Sequence, residues 1–227
     1  MTGSQKRQKK NSPQSNKSYY PVYLDLKGKR CIIVGGGRVA ERKCRSLIKN
    51  GADVTVISPN ITKRLEDYKR KGKIRHLPRL YRRGDIESAF LAIAATDSQE
   101  TNKKVYTEAM DKNILLNVVD NPDFCNFIAP SVFECGDLKI AISTGGTSPA
   151  VAKRIRKELE ALYNHEFSKY LNFLKRIRGL IKDKVKKREE REAIFNYLSS
   201  PEIFSILREK GFAALKKKVT KALSNRL

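Results

Sequence analysis

Short apolar runs alternate with helix-like segments over the first half of the chain. Residues 39–48, 61–71 and 98–111 repeat their apolar positions every three or four residues, which is typical of a helix with one buried face. The β-branched apolar runs that predict strands are 31–34, 53–58, 74–77, 90–95 and 114–119. Because strands joined by helices pair in parallel through right-handed crossovers, we predict an α/β fold with a parallel sheet.

The alternation ends after residue 120. Two further apolar runs, 127–133 and 138–143, lie on either side of a short segment, 134–137, whose composition is typical of a turn. Strands joined by so short a turn pair in antiparallel fashion. We therefore predict a small β-hairpin, and with it a second region of the fold.

From Ser148 onward the pattern is helical. It is interrupted at 199–201, where proline follows two serines, and at Gly211. Lys and Arg fill most positions between an apolar stripe made of Leu171, Leu174, Ile177, Ile181 and Val185. The predicted regions are a disordered basic tail at 1–18, a nucleotide-binding domain at 19–119, the hairpin region at 120–150 and a basic helical domain at 151–227.

The composition is strongly basic, with a formal net charge of +24. Such a surface attracts polyanions, and nucleic acid, an acidic membrane or a substrate with several carboxylates would all satisfy it, as would plain solvation. No apolar run approaches the roughly 18 residues of a membrane span, and residues 1–18 lack the apolar segment of a secretory signal. We expect a cytoplasmic protein without membrane association.

Cysteine and histidine are too few and too scattered for a metal centre. No Cys-x-x-Cys pair occurs, and neither histidine belongs to a motif. The residues concerned are Cys31, Cys44, Cys125, Cys135, His76 and His165. We predict reduced thiols and no metal site.

A glycine-rich loop stands between the first predicted strand and the first predicted helix. Its pattern is Gly35-x-Gly37-x-x-Ala40, which in this context is a dinucleotide-binding fingerprint. The glycines permit a tight turn and close approach of a pyrophosphate, and the helix N-terminus supplies N–H donors. We predict a Rossmann-like domain whose cofactor contacts are Gly35, Gly36, Gly37, Arg38, Val39 and Ala40. The alternative is a glycine turn in an empty α/β domain.

The ribose end of the predicted cofactor site departs from the fingerprint. About 20 residues after the loop, where an acidic residue usually binds the ribose hydroxyls, stand Ser58 and Pro59. Hydroxyl and backbone groups can hold a ribose there, and Arg38 could accept a 2′-phosphate. These residues leave the choice between NAD and NADP open.

Four collinear segments, 34–43, 94–97, 117–120 and 143–149, closely resemble the siroheme synthase family. In that family this region is the precorrin-2 dehydrogenase and, in some members, a sirohydrochlorin ferrochelatase. The resemblance implies a homodimer that binds NAD, dimerises through the hairpin region and encloses the tetrapyrrole precorrin-2 with its helical domain. Because precorrin-2 carries many carboxylates, a cleft lined by Lys and Arg gives part of the charge a specific purpose.

Asp120 matches the essential aspartate of the family. It follows the predicted strand 114–119 at its carboxyl end, where open parallel sheets place their ligands. Dehydrogenation removes a proton as well as a hydride, so a carboxylate beside the cofactor is suited to act as general base. The alternative is that Asp120 only turns the chain before Asn121 and Pro122.

Two loops are candidates for further contacts. Ala95, Thr96 and Asp97 follow a predicted parallel strand and are expected to line the nicotinamide side of the cofactor, unless Thr96 or Asp97 merely caps the next helix. The loop 143–149 ends with Ser148 at N-cap and Pro149 at N1, which suits a substrate carboxylate as well as ordinary capping. The predicted substrate contacts are Asn117, Thr144, Gly145, Gly146, Thr147 and Ser148.

Two questions of function remain open at this stage. A Rossmann domain with a basic helical extension could be an NAD(H)-sensing regulator that binds nucleic acid, although no helix-turn-helix or RNA-binding motif is visible and we regard nucleic acid as an improbable partner. Chelation is not decided by any ligand cluster. No methyltransferase-like segment follows, as it does in some family members, so we expect precorrin-2 to come from a separate enzyme.

Overall fold

The structure is a computed structural model that describes residues 17–224, and the chain divides into two compact units, Met1–Ala129 and Pro130–Leu227. Most of the predicted basic tail, 1–16, lies outside the described residues. Each unit has a hydrophobic core of its own. Within the described residues, no helix is both long and apolar enough to cross a membrane.

The first unit is a parallel α/β sheet, as predicted. Its elements are β1 (Arg30–Val34), α1 (Arg38–Lys49), β2 (Asp53–Ile57), α2 (Lys63–Arg70), β3 (Arg75–Leu77), β4 (Leu91–Ala94), α3 (Gln99–Asp111) and β5 (Leu115–Val118). The strand order is β3-β2-β1-β4-β5, and every pair is parallel. Because the chain leaves β1 toward β2 and later returns to β4 on its other side, the sheet has a switch point between β1 and β4.

Burial on both faces of the sheet explains the continuous apolar runs. Residues Cys31 to Val34 of β1 and all of β4 are almost fully buried, under α1 on one face and α3 on the other side of the core. Each fully buried Ile or Val contributes about 1.5–3 kcal/mol to the free energy of unfolding. The sheet edge therefore holds its position without help from any ligand.

The second unit starts with a hairpin made of β6 (Ser131–Cys135) and β7 (Leu138–Ile142), paired antiparallel. The hairpin was predicted, but its first strand starts and ends later than the predicted 127–133. Proline lacks an N–H for the strand ladder, so β6 begins after Pro130. Gly136, with φ +59°, allows a tighter turn than the predicted one.

Four helices complete the second unit: α4 (Pro149–Leu162), α5 (His165–Lys184), α6 (Arg188–Leu198) and α7 (Pro201–Leu223). The predicted interruption at 199–201 separates α6 from α7, where Ser200 caps the new helix. Gly211, with φ +75°, kinks α7 as predicted, and Glu166 caps the continuing turn by accepting from the Phe212 N–H at 2.8 Å. Breaks after α4 and α5 were not predicted, since Asn164 and Val185 carry only weak signals for a helix end.

Candidate functional site

The carboxyl ends of four parallel strands meet at one edge of the first unit. Gly35 follows β1, Ser58 follows β2, Ala95 follows β4 and Asp120 follows β5 after one residue. Hydrogen bonds continue the pairing past the strand ends: Gly35 N donates to Ile57 O at 2.9 Å and Ala95 N donates to Val34 O at 2.8 Å. The fold thus brings these predicted site residues to the edge where open α/β sheets bind ligands.

The three loop glycines have different surroundings. A Cβ on Gly35 would lie 2.1 Å from Ala95 O, and a Cβ on Gly36 would lie 2.0 Å from Asn60 O. A Cβ on Gly37 would meet no atom within 4 Å. The first two glycines therefore let backbone segments pack together, whereas the third leaves the outer face of the loop open to a ligand.

The start of α1 offers unused hydrogen-bond donors. Gly37 is its N-cap and supplies no side-chain bond, and the first N–H with a backbone acceptor belongs to Glu41, 3.0 Å from Gly37 O. Among residues 17–224, no acceptor receives the N–H groups of 36–40. An open glycine face beside free N–H groups at a helix N-terminus fits a dinucleotide pyrophosphate. Arg38 is exposed, Val39 is partly exposed and Ala40 is buried, as close packing of α1 on β1 requires.

Ser58 turns inward on its own loop. Its Oγ donates to Asn60 O at 2.7 Å. Its carbonyl oxygen lies 2.9 Å from Nε2 of His76. Pro59 beside it is exposed. The hydroxyl already has an acceptor, so a ribose would meet Ser58 mainly through the lone pairs of its Oγ.

The loop after β4 is fixed from inside. Asn102 Nδ2 donates to Thr96 O at 3.1 Å, and Ser98 N donates to Thr96 Oγ1 at 3.0 Å. Ser98 caps α3 by accepting from Thr101 N. The alternative that Thr96 or Asp97 caps this helix is wrong, because Ser98 stands directly before the first helical residue. Ala95 and Thr96 are half-buried and Asp97 is exposed.

Asp120 lies in a turn at the end of β5, with its carboxylate exposed. Its φ is +57°, a conformation that Asp tolerates better than most residues, and Asn121 N donates to Val118 O at 3.4 Å across the turn. The side chain is exposed, and within the described residues it makes no hydrogen bond or ion pair. This geometry is thus compatible with both interpretations of Asp120, as a residue that turns the chain and as a general base.

Asn117 lies below Asp120 in a small polar network. It is buried, its Nδ2 donates to Phe127 O at 3.3 Å, and its Oδ1 accepts from Lys43 Nζ at 3.4 Å. Cys125 Sγ accepts from Val118 N at 3.2 Å, and burial raises the pKa of this thiol. The network ties the end of β5 to the segment that follows it.

The sequence-based prediction missed Lys43. Burial lowers the pKa of its ammonium group, and the neighbouring Arg42 lowers it further. A signal was available in the helical periodicity, because Lys43 stands three residues after Ala40 and four before Leu47, both of which are buried. A lysine on the core side of an amphipathic helix is unusual enough to be noticed.

The loop before α4 belongs to the second unit. Ser148 caps α4 by accepting from Val151 N at 3.3 Å, with Pro149 at N1, as predicted. Two more hydroxyls serve the loop itself: Ser143 Oγ accepts from Gly145 N at 3.1 Å, and Thr144 Oγ1 accepts from Ser148 N at 3.0 Å. Thr147 N donates to Thr144 O. Within the described chain, the N–H groups without an acceptor in this loop and the first turn of α4 are those of Ser143, Thr144, Gly146 and Ala150.

The parallel sheet and the glycine loop define a dinucleotide-binding protein of the NAD(P) class. A family model described as "Putative NAD(P)-binding" matches residues 22–131, and one described as "Sirohaem biosynthesis protein central" matches residues 136–162. Together with the relatives below, these matches show that the chain belongs to the siroheme synthase family, which confirms the resemblance carried by the four motifs.

Curated relatives and a solved structure agree with this family. The siroheme synthase of Nitrosococcus oceani is 38% identical over 74% of this chain and 36% of its own length, and that of Photobacterium profundum is 40% identical over 63% of this chain and 31% of its own. A solved structure titled "SirC, precorrin-2 dehydrogenase" is 28% identical, with a TM-score of 0.76 over 89% of this chain and 100% of that one. This chain spans about a third of the length of those siroheme synthases. The alternative of an NAD(H)-sensing regulator gains no support from these relatives.

Proposed function

We propose that the chain catalyses the NAD-dependent dehydrogenation of precorrin-2 to sirohydrochlorin in siroheme biosynthesis. The observation that carries the proposal is the carboxylate of Asp120, which has no partner among residues 17–224 and lies at the sheet edge that also bears the open glycine loop. The family and the similarity to a precorrin-2 dehydrogenase over that protein's whole length support the choice of reaction.

The glycine loop and its neighbours would hold the dinucleotide. The free N–H groups of residues 36–40 suit its pyrophosphate, and Ser58 with Pro59 stands where the adenosine ribose lies in such domains. Ala95, Thr96 and Asp97 would line the nicotinamide side. The bound cofactor supplies a hydride acceptor.

Asp120 would take the proton that leaves the tetrapyrrole together with the hydride. An exposed carboxylate that has no hydrogen-bond partner among residues 17–224 is suited to accept that proton. Asn117 below it would keep the end of β5 in place through its bond to Phe127 O.

The loop before α4 would bind a substrate carboxylate. Two of its free donors, the N–H groups of Gly146 and Ala150, stand near the N-terminus of α4, where the helix dipole favours an anion. The loop is fixed by the hydroxyls of Thr144 and Ser148, which accept from backbone N–H groups, and by the Gly145 N–H, which donates to Ser143 Oγ. The residues that would shape the site are Thr144, Gly145, Thr147 and Ser148.

The test is an anaerobic assay with freshly generated precorrin-2 and NAD, following sirohydrochlorin by its visible spectrum. We expect Asp120→Asn to lower kcat by about 10²–10⁴-fold, the usual value of a general base, with NAD affinity unchanged. Asp123→Asn is a matched control, because Asp123 is also exposed and lies three residues away. No turnover by the wild type, or full turnover by Asp120→Asn, would overturn the proposal.

Iron insertion into sirohydrochlorin is a second candidate activity, which makes the chain a lyase as well. The same observation favours it, because the pyrrole nitrogens lose protons as the metal enters and the Asp120 carboxylate, without a partner in the described part of the chain, could accept them. The measurement is the rate of Fe²⁺ or Co²⁺ insertion by the wild type and by Asp120→Asn. A wild-type rate equal to the protein-free rate would exclude the activity.

A homodimer that forms through the hairpin region, 120–150, is the third part of the proposal. Val132 and its cross-strand partner Ala141 are both exposed on one face of the β6–β7 hairpin, and Val151 is 49% exposed on α4. The same face carries the Glu134–Lys139 ion pair beside this apolar pair. A two-stranded sheet is marginally stable alone, so a second copy packed on this face would stabilise it. Light scattering should give a dimer for the wild type, a monomer for Val132→Asp and a dimer for the control Leu180→Asp, which changes an exposed residue of α5. A monomeric wild type would contradict this part.

The same proposal locates the protein in the cytoplasm. Cys31, Cys44 and Cys125 are buried free thiols and Cys135 is a partly buried one, which suits a reducing compartment. Burial raises the pKa of Cys31 to about 11 and that of Cys44 to about 12, so neither is a reactive thiolate at neutral pH. Fractionation of the native cells would test the location.

A further inference from the structure

Lys43 is a half-buried ammonium group on the inner side of α1. Its Nζ lies 3.4 Å from Asn117 Oδ1, although the two residues are 74 positions apart in the chain. Asn117 stands three residues before Asp120, so Lys43 reaches from α1 to β5, the strand that leads to the proposed general base. Lys43 therefore lies on the side of α1 that faces β5, and not on the outer face of the helix.

The amide of Asn117 has a defined orientation. Its Nδ2 has acceptors on the other side, Phe127 O at 3.3 Å and Cys125 Sγ at 3.5 Å. Its Oδ1 must then face Lys43, because an amide nitrogen cannot accept a hydrogen bond. The contact between Lys43 and Asn117 is thus a donor meeting the correct end of a fixed acceptor.

No carboxylate neutralises Lys43 within the described residues. Asn117 is its one polar partner there, which leaves two of its three N–H donors without a protein acceptor. Residues 1–16 contain no Asp or Glu, so that segment has no acidic side chain to offer either. Burial and Arg42 lower the pKa of this group, as expected of a cation without a counter-ion.

A partly desolvated cation of this kind is costly unless an anion pairs with it. The dinucleotide pyrophosphate has its own donors at the start of α1, and Lys43 is the sixth residue of that helix, about 8 Å further along its axis. An anion beside Asn117 and Asp120 would instead come from the molecule on which Asp120 acts. Among the proposed ligands, that molecule is the one with several carboxylates.

We propose that Lys43 is a specificity-determining residue that pairs with a carboxylate of the tetrapyrrole substrate. The proposal rests on the proposed function and adds a substrate contact from the cofactor helix. The ammonium gives a charge-assisted hydrogen bond to the carboxylate, while its contact with Asn117 holds it beside β5. Loss of the charge should weaken substrate binding and leave the cofactor site intact.

The experiment compares the wild type with Lys43→Gln, Lys43→Arg and the control Arg45→Gln. Glutamine removes the charge but can still donate to Asn117, and Arg45 is an exposed cation of the same helix. We expect Lys43→Gln to raise the KM for precorrin-2 by at least about tenfold, with kcat within about threefold and the NAD Kd within about twofold of the wild type. Lys43→Arg should have a KM for precorrin-2 close to that of the wild type, and Arg45→Gln should change this KM little.

A binding measurement separates this proposal from the proposed reaction. Uroporphyrin, a stable tetrapyrrole with eight carboxylates, is titrated into each variant at a fixed salt concentration and followed by its absorbance. Weaker binding by Lys43→Gln than by Arg45→Gln supports the proposal even if the wild type does not oxidise precorrin-2. Three results would each overturn the proposal. The first is an equal effect of Lys43→Gln and Arg45→Gln on KM and on uroporphyrin binding, and the second is a change in Lys43→Gln that is confined to the NAD Kd. The third is a wild type that is inactive and does not bind uroporphyrin.

Discussion

The chain contains two glycine-rich loops that each lead into a helix, and the two are built in opposite ways. The loop before α1 has no side-chain cap and leaves the N–H groups of residues 36–40 without acceptors in the described chain. The loop before α4 uses the hydroxyls of Ser143, Thr144 and Ser148 to satisfy two of its own N–H groups and one in the first turn of α4. Both loops were predicted to bind anions from similar sequence signals.

The difference shows that glycines before a helix do not by themselves define an anion site. Hydroxyl side chains compete for the same N–H groups, and where they are present the loop bonds to itself and has fewer donors left. Where they are absent, the donors remain for a ligand, and the loop depends on tight packing of its glycines instead. Gly35 and Gly36 show this dependence, since neither has room for a Cβ.

The largest effect is expected for Gly35→Ala. A Cβ there would meet Ala95 O at 2.1 Å, and a φ of +119° is disfavoured for alanine, so the free energy of unfolding should fall by about 3 kcal/mol or more. Gly145→Ala is the matched change in the other loop. Its φ is +61° with open space around it, so the loss should be about 1 kcal/mol. Urea unfolding measures both, and equal losses would show that the two loops are packed alike.

A smaller effect is expected for Gly37→Ser, which gives the first loop the cap that the second already has. The backbone at Gly37, φ −81° and ψ −172°, accepts a serine, and no atom lies within 4 Å of its Cβ position. The hydroxyl should stabilise the cofactor-free protein by a few tenths of a kcal/mol. It should also weaken the binding of NAD by at least about tenfold, or about 1.4 kcal/mol. Calorimetric titration with NAD checks this, with Gly37→Ala as the control that adds a Cβ but no cap. Unchanged NAD affinity in Gly37→Ser would mean that these N–H groups do not bind the cofactor.

Removing a cap from the second loop should have an effect of about 1 kcal/mol. Ser148→Ala leaves Val151 N without its acceptor and should lower the free energy of unfolding by that amount, with NAD affinity unchanged. Ser148→Asn, which keeps a capping oxygen, is the matched control. A loss of NAD affinity in Ser148→Ala would show that the second loop also contributes to NAD binding.

The smallest effect is expected for Thr144→Val, which removes the acceptor of Ser148 N but keeps the side-chain shape. Loss of one partly exposed hydrogen bond should cost about 0.5–1 kcal/mol of stability. The freed N–H would be available to a carboxylate, so uroporphyrin binding should be equal to or stronger than that of the wild type. Weaker binding would show that the Thr144 hydroxyl itself contacts the ligand.

The strands of the first unit could be predicted from sequence because their burial is a local pattern. β1 and β4 are continuous apolar runs, and glycine, proline and the capping residues Ser148 and Ser200 mark the ends of the elements. The start of β6 was misplaced, because residues 127–129 are as apolar as a strand although they precede Pro130 and lie outside β6. Burial of an apolar residue outside a strand leaves no distinct mark in the sequence.

The sequence by itself determined the parallel sheet, the glycine loop, the cap of α4 and the position of Asp120 at the end of β5. Each of these depends on residues that are close together in the chain. Only the tertiary structure decided which N–H groups remain free and that Lys43 meets Asn117 across 74 positions. The physical reason is that a buried cation is defined by the groups around it, and those groups come from elements that folding alone brings together.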